Sequence, residues 1–280
     1  MRIVLLTALA MLAFAGNSLL CRIALRDTAI DAASFTAIRV GSGALVLALL
    51  LRSRGARPTA GGSWLAALAL FSYAAFFSFA YRELSAATGA LLLFGAVQMT
   101  MTGFGLFAGE RVGGIKLAGL VLALGGLVAL LLPGLAAPPI AGAALMAAAG
   151  ISWGVYSILG KSLGEPIAAT GGNFMRALPF AAALALAGMN QSSMDLRGVL
   201  YAVLSGAITS GLGYVIWYAA LPSLKSTQAA IVQLSVPAIA ALGGALLLAE
   251  PITERLLLAS AAILGGIALT TMGKRPAKGI

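Results

Sequence analysis

The sequence predicts an all-α integral membrane protein: ten transmembrane helices arranged as two inverted five-helix repeats. Three observations carry this. Of the 280 residues, 61% are hydrophobic and 9% charged, with a mean hydropathy of +1.02; a soluble domain carries about 25% charged residues. The apolar residues collect in runs of about twenty, the length that crosses a bilayer core. The second half also repeats the first: "LALGGLVAL" at 122–130 returns as "AILGGIAL" at 262–269.

The runs lie at about 3–22, 32–51, 64–82, 86–108, 115–132, 140–160, 167–187, 198–220, 226–248 and 255–272. Gly, Pro and charge punctuate them, as in "RSRGARPTAGG" (52–62), "PGLAAPP" (133–139) and "NQSSMDLRG" (190–198). Two breaks are shorter, "YRELS" (81–85) and "LPSLKS" (221–226), and such tight connections make neighbours antiparallel. The first run contains "AFA" (13–15), which has the look of a leader cleavage site. Its counterpart in the second half argues that it is retained as a helix.

Charge sets the orientation. With the N-terminus inside, the inner regions hold Arg2, Arg52, Arg54, Arg57, Arg111, Lys116, Lys161, Lys225, Lys274, Arg275 and Lys278. The outer regions hold only Arg22, Arg26, Arg82, Arg197 and Arg255. This bias predicts a multi-pass protein of a bacterial-type inner (plasma) membrane with both termini cytoplasmic. The net charge of +10 is scattered between apolar runs, which argues against a nucleic-acid partner.

The repeat extends beyond one motif. At a shift of 140 residues Gly103 meets Gly243, Glu110 meets Glu250, and Gly125 and Gly126 meet Gly265 and Gly266. At slightly smaller shifts Gly16 meets Gly154 and Arg39 meets Arg176. The halves divide at about 1–136 and 137–280. Five runs per half is an odd number, so the second copy crosses in the opposite sense, as in many secondary transporters.

The stretches "YRELSAATGALLLFGAVQMTMTGFGLFAGERVGGIKLAGLVLALGGLVALL" and "YAALPSLKSTQAAIVQLSVPAIAALGGALLLAEPITERLLLASAAILGGIAL" resemble the repeat of the drug/metabolite transporter superfamily, EamA-type branch. "SWGVYSILGKSL" (152–163) resembles its first-helix motif. One position departs: the mid-helix proline is Pro237 in the second half, but Val97 stands there in the first. The resemblance implies an exporter of amino acids or related metabolites, most like the bacterial amino-acid and aromatic amino-acid exporters. A multidrug or toxic-compound exporter of the same fold is the alternative. It also implies a central cavity between helices 1, 3, 4, 6, 8 and 9, with the last helix of each half outside as scaffold or dimer contact. Expected partners are small-molecule substrates and membrane lipid, for a monomer or homodimer.

Polar groups within hydrocarbon are costly, so they mark a candidate path. These are Asn17 and Ser18, Tyr73, Phe94 with Gln98, then Trp153, Tyr156 and Ser157, then Tyr214, and Gln233. Trp153, Tyr156 and Ser157 share a helix face at i, i+3 and i+4, and Tyr214, Trp217 and Tyr218 repeat that spacing. Trp217 and Tyr218 also suit an interfacial aromatic belt. Single Ser and Thr residues suit hydrogen bonds to their own helix. Arg39 and Arg176, both within runs, are either clamps for a substrate carboxylate or structural groups. The pairs Gly105–Gly109 and Gly150–Gly154 suit close helix packing. Pro179 and Pro237 should bend their helices.

With no His, one Cys (Cys21) and every acid at or near a run end, no catalytic or metal site and no cofactor is expected. An enzyme is therefore not expected. A carboxylate-free interior also predicts facilitated rather than proton-coupled transport.

Overall fold

The computed structural model describes residues 2–59, 61–109, 113–134, 137–160, 165–224 and 232–272. Glu110, one half of the predicted Glu110–Glu250 pair, lies outside these residues. The described residues form helices and contain no strand. We number them α1 (Arg2–Asp27), α2 (Ala32–Ser53), α3 (Trp64–Ala80), α4 (Ala86–Phe107) and α5 (Gly114–Leu131) in the first half. The second half has α6 (Ile140–Gly160), α7 (Pro166–Ala187), α8 (Leu196–Ser223), α9 (Ser235–Leu248) and α10 (Glu254–Met272). Helices α1, α2, α4, α5, α6 and α8 are long and apolar enough to cross a membrane; α3 and α9 are apolar but shorter.

Local chemistry starts the helices where the breaks were expected. Asp31, Ser63, Ser85, Glu165 and Asp195 each cap a first turn by accepting from its free backbone N–H groups, and Pro166 occupies the first turn of α7. α1 runs five residues past the expected end at 22. Charge at Arg22 and Arg26 does not stop it, because both find acceptors on neighbouring helices. Arg22 reaches Glu250 and the Tyr81 carbonyl; Arg26 reaches the Leu248 carbonyl.

Two helices are irregular. α8 widens to a π-helix over Ser205–Leu212. The helix of span 9 turns at Leu234, just before Ser235. Pro237 has no N–H to offer the carbonyl four residues back, so the ladder cannot run through. Pro179 sits within an α7 that stays helical from end to end.

The halves interlock. α1 packs on α8 and α9, and α6 packs on α3 and α4; α2 contacts α8, and α7 contacts α3. α2 packs on α7, α4 on α9, and α5 on α10. Exchanging each helix for the one five places on leaves these pairings unchanged. Small residues allow the close crossings: Gly150 meets Ala96 and the Leu93 carbonyl, and Gly154 meets Thr100, so this GxxxG pair seats α6 on α4. Gly119 and Gly266 each lie against the other's carbonyl, and Gly126 against Ile263. The repeated Gly-Gly motif therefore holds α5 to α10 through Gly126 and Gly266, while Gly125 and Gly265 face open space.

Candidate functional site

Helices α1, α3, α4, α6 and α8, with Gln233 of span 9, surround a small hollow. Its wall is Phe14, Asn17, Ser18, Tyr73, Phe77, Leu93, Phe94, Trp153, Thr209, Tyr214 and Gln233. The volume is about 30 Å³, room for roughly one water. A larger depression of about 620 Å³ lies between α5 and α10. It is open and apolar, and its polar side chains are Glu254 and Arg255 at the rim, so it gathers none of the buried polar groups. The smaller hollow is the better site because polar groups converge on it.

Aromatic rings form most of the wall. Trp153 stands 4.8 Å from Tyr73, 5.1 Å from Tyr214 and 5.3 Å from Tyr156, centroid to centroid. Phe14 packs edge-on against Tyr214 and Trp217 at 6.0 and 5.9 Å. The hydrophobic run places each ring in the interior, and facing helices bring them together.

A polar network lies on one side of the rings. Asn17 Nδ2 donates to the Tyr73 hydroxyl at 3.2 Å, and Asn17 Oδ1 accepts from Ser205 at 2.7 Å and Thr209 at 3.2 Å. Ser205, Thr209 and Ser210 all belong to the π-helical stretch, the kind of irregularity that re-aims side chains at functional sites. Arg39 is 2% exposed. Its Nη2 donates to the Tyr73 hydroxyl at 3.2 Å and its Nε to Ser210 at 3.4 Å. Its Cζ stands 5.2 Å from the Tyr73 ring centre and 4.9 Å from that of Phe77. Gly206 makes room for it, since a Cβ there would collide with the Arg39 carbonyl and Ser42.

The two arginines differ in surroundings. Arg176 donates to the Gly61 carbonyl at 2.6 Å, to Gly172 at 3.0 Å and to Thr59 at 3.3 Å, and Asn173 accepts from Ser63 N. It holds the irregular backbone before α3 against α7. Arg39 has no such loop to hold.

Among the other expected residues, Asn17, Ser18, Tyr73, Phe94, Trp153, Tyr214 and Gln233 line the hollow. Tyr156 is buried behind Trp153. Gln98 points elsewhere, donating to Thr102 and to Thr270 of α10, and Ser157 donates to its own helix at Trp153 O. Trp217 is 8% exposed and packs on Phe14, so it does not form part of an interfacial belt. Sequence reasoning left out Phe14, Phe77 and Leu93 from the wall. All three are apolar residues in apolar runs and carry no signal.

At the end of the bundle where α1 stops, Arg22 Nε lies 2.9 Å from Glu250 Oε1. Glu250 Oε2 accepts from Ala86 N at 2.8 Å, and Arg22 Nη1 donates to the carbonyls of Tyr81 and Arg82. One ion pair thus ties α1, α3, α4 and α9 together above the hollow. Among the described residues no group of His, Cys, Asp and Glu is placed to hold a metal ion.

Comparison with known proteins adds the family. The EamA-like transporter family matches residues 1–132 and again 140–272. An uncharacterized protein of Pseudomonas aeruginosa is 62% identical over 96% of this chain and 94% of its own length. An uncharacterized transporter of Archaeoglobus fulgidus is 29% identical over 83% of this chain and 84% of its own. A solved crystal structure, 20% identical, covers 96% of this chain and 97% of that one with a TM-score of 0.67, a likeness of fold.

Proposed function

Since the chain belongs to the EamA-like transporter family and is a multi-pass membrane transporter, we propose that it exports amino acids or related small metabolites by alternating access. Ten spans form two inverted halves, 1–136 and 137–280, in a bacterial inner membrane with both termini cytoplasmic. Substrate binds in the hollow at the seam, and the two ends open in turn. The pairings of the helices, unchanged by exchange of the halves, support a two-fold relation between them, and an odd number of spans per half makes that relation an inverted one. A unit and its upside-down copy can trade conformations, and the trade exposes one site to alternate faces.

The observation that carries the reading is the hollow itself: rings of Tyr73, Trp153 and Tyr214 beside the Asn17 amide and the Arg39 guanidinium. Rings suit an apolar side chain, and the polar side suits a head group. At about 30 Å³ the hollow is too small for a solute, and the Arg22–Glu250 pair ties the helix ends at one side of it, the periplasmic side in this reading. A substrate enters from the cytoplasm only when the helices part on that side. No carboxylate stands in the wall among the described residues, which favours amino acids over bulky cations and downhill over proton-driven transport.

The test is uptake into proteoliposomes with a panel of the twenty amino acids. The reading expects saturable flux of one or a few members, lost when Trp153 is replaced by Ala. Non-saturating flux would mark a pore and contradict it. Uphill accumulation driven by an imposed pH gradient would contradict the facilitated mode.

A further inference from the structure

We propose that the site selects solutes that carry a carboxylate, and that Arg39 is the charge that selects them. This rests on the transporter reading above and deepens it. Arg39 is 2% exposed, and it meets neutral oxygens of Tyr73 and Ser210 and two ring faces. Its Nη1 has no hydrogen-bond partner. Every described acidic side chain stands at a helix end or in a connection: Asp27, Asp31, Glu83, Glu165, Asp195, Glu250 and Glu254. A buried charge without a counter-charge is costly, and structures keep one where function uses it.

Arg176 sharpens the contrast. It is matched to Arg39 in the repeat, yet its donors are occupied by the carbonyls of Thr59, Gly61 and Gly172. Arg39 is the member left for a ligand.

The donor and acceptor balance points the same way. Arg39 and the Asn17 amide both donate to the Tyr73 oxygen, so the Tyr73 proton is directed outward from that pair of donors. Asn17 Oδ1 is taken by Ser205 and Thr209. This side of the hollow offers hydrogen-bond donors backed by a positive charge. It fits an anionic acceptor: the carboxylate accepts from Tyr73, with the Arg39 charge directly behind, and the solute's apolar part lies on Trp153 and Tyr214.

The test titrates the purified full chain with L-phenylalanine, L-leucine and their carboxamides, reading the tryptophan fluorescence of Trp153 against a Trp153→Phe control. The acids are expected to bind about ten- to hundredfold more tightly than the amides. Arg39→Gln should bring the two within about twofold, and Arg39→Lys should keep part of the preference. Tyr73→Phe, which keeps the charge and the ring, should weaken acid binding several-fold more than amide binding. If Arg39→Gln fails to fold, the acid-to-amide ratio of the unaltered protein and the Tyr73→Phe result decide. Equal binding of acids and amides, or a response to sodium chloride as large as that to the acids, overturns the proposal and leaves the transporter reading in place. No binding and no flux for any panel member overturns the amino-acid reading itself.

Discussion

Arg22 Nε and Glu250 Oε1 meet at 2.9 Å, 228 residues apart in sequence, with the side chains 13% and 8% exposed. The pair joins the end of α1 to the end of α9. Glu250 also caps α4 through Ala86 N. Removing one partner of a buried pair leaves an unpaired charge and costs roughly 3–5 kcal/mol. Glu250→Gln should therefore lower the melting temperature, and it should speed labelling of hollow residues from the face of the membrane on which the pair lies. Arg22→Gln with Glu250→Gln should recover part of the loss. Unchanged melting and labelling in the single variant would show that the pair holds nothing closed.

Trp153 is within 5.3 Å of three other rings and forms the centre of the wall. Trp153→Ala should reduce saturable flux more than tenfold, since it removes the half-buried ring on which Tyr73, Tyr156 and Tyr214 converge. Ser157→Ala, one helical turn further on, should leave flux nearly unchanged, because the Ser157 hydroxyl donates to its own helix at the Trp153 carbonyl. A matching loss in both would mean that α6 as a whole, rather than the ring, had been disturbed.

Gly172 approaches the Gly61 carbonyl more closely than a Cβ permits. Gly172→Ala should push Gly61 off α7, break the bonds that Thr59 and Gly61 accept from Arg176 and cost about 1–3 kcal/mol. Gly103→Ala is the matched control: nothing lies within 4 Å of a Cβ there, and a helical Gly→Ala change gains about 0.4–1 kcal/mol. Thermal melting of the two variants checks the pair. Equal melting temperatures would count against the close crossing.

Asp31 makes one junction sensitive to acid. Burial pushes its carboxyl up, but hydrogen bonds from Ser34, Ser193 and Ala33 outweigh this and hold it below its ordinary value of 3.8. The folded value is the lower one. The stabilisation is therefore complete above the ordinary value and is lost as pH falls through the folded value. Melting temperature should fall below about pH 4, and Asp31→Asn should flatten that part of the profile. An unchanged acid limb in Asp31→Asn would remove this group from the account.

Hydropathy alone made the helices legible, because a bilayer forces long apolar runs to be helical. The ends were harder. α1 passes Arg22 and Arg26 because their partners, Glu250 and the Leu248 carbonyl, are supplied by α9, more than two hundred residues away. Within the site, spacing along one helix showed which residues share a face but not which neighbour that face meets. Gln98 shares a face with Phe94, yet it turns to Thr270 while Phe94 turns to the hollow. Arg39 and Arg176 are matched in sequence. Only the docking of the Thr59 and Gly61 carbonyls, which spends the donors of Arg176, tells them apart. The π-helical stretch "SGAITSGL" carried a hint in its small residues, but nothing local fixes a widened turn.

Access to Ser18 from the two sides of the membrane tests alternating access most directly. Ser18 lines the hollow and is buried, and Cys21 is the only native thiol, so Cys21→Ala gives a silent background. Ser18→Cys in that background should react with a membrane-impermeant thiol reagent added to either face, and a transported solute should protect it on both. Reaction from one face only, whatever solute is present, would contradict the account.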